Sequence, residues 1–163
     1  MPRLLLAYLA LVGLSLSLMV HIASLSGIDV AASFPFVWSL HVGIFVVFIP
    51  FVFLSRKEFS ARPSFQQIRA GFPGWVVAAG LVLFAYAIAN FLLFMAATEG
   101  GNPSIRDGKF VLLQHGHLIR EITSSEYRSF KVNELRGFSG HWLVFYFLPF
   151  AYFMFHKTKE GRA

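Results

Sequence analysis

The residues of this sequence best suited to chemistry are four polar side chains set in apolar surroundings: His21, His41, Asn90 and His141. Each lies in a stretch free of Asp, Glu, Lys and Arg. A polar group in such a setting is costly unless it has a partner or a task. Neutral imidazoles from adjacent helices are the usual axial ligands of a non-covalent haem, and three of them can hold zinc or copper with one position open. His21, His41 and His141 are therefore candidate ligands for a single b-type haem or a metal ion. Two haems would need histidine pairs at both ends of a bundle, and His156 stands alone at the other end. The plainer reading is mutual hydrogen bonding, with His21, His41, Asn90 and His141 forming one polar cluster that holds helices together. Proton transfer or quinone binding along His21, His41 and Tyr86 is a third option, for which the apolar stretches supply no carboxylate to complete a relay.

The rest of the sequence narrows these choices mainly by what it lacks. With no cysteine there can be no disulfide, thiolate zinc site, iron–sulfur cluster or covalently attached haem. No phosphate loop, dinucleotide fingerprint or zinc-protease motif occurs. Ser139 and His141 lie close in sequence, but neither an acidic partner nor a nucleophile elbow accompanies them, so a hydrolase is not expected. His115 and His117 could chelate a surface metal, yet His115-Gly116 reads better as a turn. The basic run from Arg56 to Arg69, with Phe59 and Phe65 interleaved, suits anionic lipid headgroups rather than nucleic acid.

The elements that must position these side chains follow from composition. Of 163 residues 56% are hydrophobic, 13% are charged and 20 are Phe. Soluble domains carry roughly 25% charged residues, and disordered chains are poor in aromatics. What remains is an integral membrane protein. A hydrocarbon core about 30 Å thick takes roughly 20 apolar helical residues, and four windows approach that length: 4–25, 34–54, 75–97 and 138–155. Pro50 and Pro149 are tolerated inside such helices, and Pro149 should kink the fourth. The first window is too long for a signal-peptide core of roughly 7–15 residues, so it reads as an uncleaved anchor. Counted from the outer helix ends, His21, His41, Asn90 and His141 lie about 6, 10, 10 and 5 Å deep.

Orientation follows from Lys and Arg in the flanks. Arg3, Arg56, Lys57, Arg62, Arg69, Lys157, Lys159 and Arg162 share one side, whereas the connection 26–33 carries no basic residue. Both termini are expected inside, in a bacterial inner membrane by default. The insertion 98–137 then lies outside. Within it, Lys109–Gln114 and His117–Ile122 read as a β-hairpin turning at His115-Gly116, with Leu112 facing Ile119 and Val111 facing Arg120. Glu99 to Pro103 reads as a flexible exit from the third span. Thr123-Ser124-Ser125-Glu126 has the form of a capping box opening an amphipathic helix, which Gly137 and Gly140 should bend into the last span.

The sequence thus predicts an all-α membrane protein of four transmembrane helices, with an extracytoplasmic hairpin and amphipathic helix between the third and fourth. It is expected to act as a non-enzymatic accessory or interaction protein. Its partners would be the lipid bilayer and a membrane or extracytoplasmic protein, with no nucleic acid. The competing expectation is a haem- or metal-binding electron carrier.

Overall fold

The computed structural model describes residues 2–59 and 63–156. The basic residues Arg62, Lys157, Lys159 and Arg162, which entered the orientation argument, lie outside the described residues. The chain is mostly helical, and four helices are long and apolar enough to cross a membrane: α1 (Pro2–Leu25), α3 (Ser39–Glu58), α5 (Gly74–Ala96) and α6 (Ser124–Phe155). Between α1 and α3 lie a short helix, α2 (Val30–Ser33), and one 3-10 turn (Pro35–Trp38). Asp29 caps α2 by accepting from the Ala32 amide at 3.0 Å. The end of the basic stretch, with Arg69, folds as α4 (Phe65–Gly71), opened by a capping box between Ser64 and Gln67.

Helix α6 is the hub. It packs on α1, α3 and α5, and it is the most buried of the four long helices while being the least apolar. This order has a physical reason. Helices with a face toward lipid must be apolar on that face, whereas a central helix is covered by protein and can carry small and polar residues where neighbours approach.

The polar end of the bundle carries a three-stranded antiparallel sheet in the order β1 (Asn102–Arg106), β2 (Lys109–Gln114), β3 (His117–Glu121). Two tight turns make it. His115 and Gly116 take φ of 49° and 85°, as the second turn requires, and Asp107 and Gly108 take 50° and 75° at the first. The expected hairpin is therefore a meander, because residues 102–106, read as part of a flexible exit and its continuation, form an edge strand. Pro103 is compatible with an edge, where its missing N–H is not needed. Register also differs. Gln114 pairs with His117 as expected, but Leu112 pairs with Arg120 and Val111 with Glu121. A β-bulge takes Ile119 out of the ladder and shifts everything beyond it by one residue.

Leu112, Ile122 and Phe130 form a small core joining the sheet to the start of α6, with Phe110 and Tyr127 packed against it. The capping box is present: the Thr123 hydroxyl accepts from the Glu126 amide and Glu126 accepts from the Thr123 amide. The amphipathic helix and the last span are one element: α6 continues through Gly137 and Gly140 without a break, for 32 residues, or about 48 Å at 1.5 Å per residue. Both glycines are occupied by close approach. A Cβ at Gly137 would lie 2.5 Å from Phe94 Cγ, and one at Gly140 would strike Asn90.

Arg120 ties the cap together, reaching Glu99 at 3.0 Å and Glu126 at 2.8 Å. Hydrogen bonds from the Thr123 backbone, then from Arg120, hold the Glu126 carboxyl down at about 2. A carboxyl depressed in the folded state contributes stability above its unfolded value and loses it as pH falls through the folded one. The cap should therefore hold its order from neutral pH down to about 4.5, the ordinary value, and loosen progressively toward about 2. Amide exchange across 102–126 measured as a function of pH checks this, with Glu126→Gln reproducing the loosening at neutral pH.

Candidate functional site

At the level where α1, α5 and α6 meet, three side chains close a chain of hydrogen bonds. His21 of α1 is 2% exposed and Ser139 of α6 is 0% exposed. His21 Nδ1 lies 2.8 Å from Ser139 Oγ, and Nε2 lies 2.5 Å from the Tyr86 hydroxyl of α5. Ser139 donates to the Arg136 carbonyl at 3.2 Å. Since Ser139 gives its own proton to that carbonyl, Nδ1–H of His21 donates to Ser139, and in the neutral ring Nε2 accepts from Tyr86. Asn90, on the same face of α5 as Tyr86, donates to the carbonyls of Arg136 at 3.2 Å and Gly137 at 3.3 Å. His21 and Asn90 both lie over Gly140.

Local sequence explains why they meet. Gly13, Ser17, His21 and Ser24 follow helical spacing on α1, and all four are buried. That stripe of small residues faces α6, where Gly137, Ser139 and Gly140 are also small, so two backbones approach closely enough for short side chains to bridge them. Lower on the same interface the Tyr146 ring fits over Gly13, and its hydroxyl donates to the Leu40 carbonyl of α3 at 2.6 Å.

Of the other two expected members, His41 stands apart and His141 meets Asn90 at a shared acceptor. His41 Nδ1 accepts from Trp142 Nε1 at 3.0 Å, and its ring stands edge-on to Phe138 and Phe45. His141 Nδ1 donates to the Gly137 carbonyl of its own helix at 2.8 Å, and its ring meets Phe91. The four side chains therefore do not all hydrogen-bond to one another: three converge on the Arg136 and Gly137 carbonyls, His21 through Ser139, and His41 does not. Counting along the helices says nothing of rotation about their axes, and that rotation decides which neighbours each side chain meets. His21 and Asn90 come together over Gly140, joined by Tyr86 and Ser139, and His141 shares the Gly137 carbonyl with Asn90, whereas His41 takes a separate partner.

This arrangement bears on the cofactor expectation. An axial or metal-bound imidazole needs a free ring lone pair, and both ring nitrogens of His21 are already engaged. Among the described residues, no three His, Cys, Asp or Glu side chains are grouped to hold a metal ion. The residues present do not fit a centre built on His21, His41 and His141. Nor does Ser139 fit a nucleophile, because it is fully buried and its proton is committed to a helix carbonyl. What the geometry does chemically is satisfy buried polar groups in a way that locks three helices together.

A second polar group sits at the opposite end. Arg3 donates to the carbonyls of Tyr152, Phe153 and His156 at 3.0 to 3.1 Å, capping the C-terminus of α6 with a cation where the helix dipole favours one. His156 Nδ1 lies 2.9 Å from Glu58 Oε2 but out of line for a hydrogen bond. This end therefore joins α1, α3 and α6 as the His21 node joins α1, α5 and α6.

The fold and its buried node define a class by architecture: a central helix wrapped by three apolar helices and crowned by a small sheet. No protein-family model, curated protein or solved structure shows significant similarity to the chain.

Proposed function

We propose that this chain is an integral membrane protein of the bacterial inner membrane, with four spans and both termini inside, that acts without catalysis by presenting its outer cap to a partner protein. The observation that carries the reading is the exposed apolar surface of the cap. Ile105 on one edge strand, and Leu118 and Ile119 on the other, are 58%, 53% and 43% exposed, although they stand on the polar end of the molecule. Both edge strands also have unpaired backbone groups, which readily accept another chain. The unbroken helix α6 supports the same reading, since it couples the cap rigidly to the bundle and the His21 node fixes that helix between α1 and α5. The orientation rests on Arg3, Arg56, Lys57 and Arg69, which gather at the end opposite the cap.

The absence of native cysteine makes the test direct. A cysteine at Asp107 should react with an impermeant maleimide on intact cells, and one at Ser55 only after permeabilisation. The reverse pattern would overturn the orientation. A photo-crosslinker at Ile105 should capture a protein partner, and Leu118→Asp should abolish the product without changing expression or melting. A Soret band or stoichiometric metal in purified protein would instead support the electron carrier.

A further inference from the structure

Helices α3 and α5 stand apart at the end opposite the cap, and between them lies a cavity of about 390 Å³, within the roughly 300–1,000 Å³ range of small-molecule sites. Its floor is Val76, Ala151 and Tyr152, all buried, while Phe65 and Leu81 on its walls are more than half exposed. It is therefore a groove open along one side. Helix α4 crosses near its mouth, and one charged side chain, Arg56, lines it. Among the described residues Arg56 pairs with no acid. Glu58, the acid closest in sequence, is turned toward His156 and Tyr152. Lys57 and Arg69 add positive charge on the same side.

An apolar groove with one cation at its rim that pairs with no acid among the described residues has the chemistry of a receptor for an amphiphile with an anionic head. We propose that the groove binds one anionic phospholipid, an acyl chain lying against Val76 and Ala151 and the phosphate reaching Arg56. This rests on the membrane reading above, which places the groove in the basic-side leaflet, where anionic lipids gather and basic pockets between helices take their headgroups. Charge complementarity selects this occupant over a zwitterionic lipid, and an apolar floor in a cavity of this volume suits an acyl chain.

The experiment uses the full chain purified in mild detergent, with native mass spectrometry after adding phosphatidylglycerol, phosphatidylcholine or oleate. One phosphatidylglycerol should be retained in preference to phosphatidylcholine. Arg56→Gln, on an exposed position, should reduce that preference about fivefold, the worth of one basic residue near an anionic surface. Val77→Trp should block the groove and displace both lipids. If Val77→Trp unfolds, the Arg56→Gln arm alone decides. Equal retention of the two phospholipids, or a preference untouched by Arg56→Gln, would overturn the proposal. So would oleate retained in place of phosphatidylglycerol, or a dimer broken by Val77→Trp. Alkaline carbonate extraction of native membranes separates the two failures: a chain that resists extraction yet shows no lipid preference refutes the groove alone, and a chain that is released refutes membrane insertion.

Discussion

Gly140→Leu is expected to destabilise the bundle by about 3 kcal/mol, at the upper end of what overpacking costs, because it disrupts three helices at one point. A Cβ at this position would already collide with the Asn90 amide and come within 3.3 Å of His21 Cε1. Leucine must therefore push α5 and α1 away from α6 together. Displacing Asn90 removes its bonds to the Arg136 and Gly137 carbonyls, and displacing His21 breaks those to Ser139 and Tyr86. Polar side chains bridging helices in membranes contribute about 0.6 kcal/mol on average, so the steric term dominates and the lost bonds add to it. Gly140→Ala should cost less, since Asn90 can retreat. Gly74→Ala should change little, because nothing lies within 4 Å of a Cβ there. Unfolding in detergent followed by intrinsic fluorescence orders the three variants. Equal midpoints for Gly140→Leu and the parent would mean that the three helices do not close over this glycine.

That glycine also shows where sequence reading succeeds and where it stops. The four long helices are legible because length and continuous apolarity need no partner to be recognised. Gly137 and Gly140 look like a bend for the same local reason, since glycine weakens an isolated helix. Only the neighbours Phe94, Asn90 and His21, which come from other parts of the chain, reveal that the missing side chains make room for packing. Depth along a helix is likewise legible at 1.5 Å per residue, so His21, His41, Asn90 and His141 can be placed at similar levels. Direction is not. Each residue turns the side chain by about 100°, and which direction finds which neighbour depends on the arrangement of helices around α6. Of the partners of His21, Tyr86 is named beside it in the sequence reading, and Ser139 carries only a partial signal. Tyr86 lies one turn from Asn90, and Ser139 lies between the two glycines that face the small-residue stripe of α1.

The missed strand is a different kind of error. Asp107-Gly108 is among the strongest short-range hairpin signals, and it was overshadowed by Gly100, Gly101 and Pro103 just upstream. Pro103 then sits on an edge, where it is tolerated. The bulge at Ile119 had no comparable local mark, and it alone accounts for the altered pairing of Leu112 and Val111.

Trp142→Ala should be the most damaging single truncation in the helical core, costing about 3–5 kcal/mol as large aromatic deletions do. The side chain is 0% exposed and belongs to the main core with Ile44, Val47 and Tyr146. It packs edge-on against Trp38 with centroids 5.8 Å apart and donates to His41. Truncation therefore opens a cavity at the α3–α6 contact and leaves the His41 acceptor without its donor. The two contributions separate by substitution. Trp142→Phe keeps most of the apolar volume and removes the N–H, so its cost should fall to about 1–2 kcal/mol, the penalty of leaving the His41 acceptor without its donor on a face away from water plus a small packing defect. Trp142→Phe combined with His41→Leu should recover part of that loss, because replacing both partners with apolar groups removes the unpaired atom. Melting of the parent, Trp142→Phe, His41→Leu and the double variant in one detergent measures the cycle. A double variant no more stable than Trp142→Phe would show that His41 gains nothing from its bond to the indole. In that event the α3–α6 contact would rest on ring packing alone, and the His21 node would remain as the polar lock near the cap.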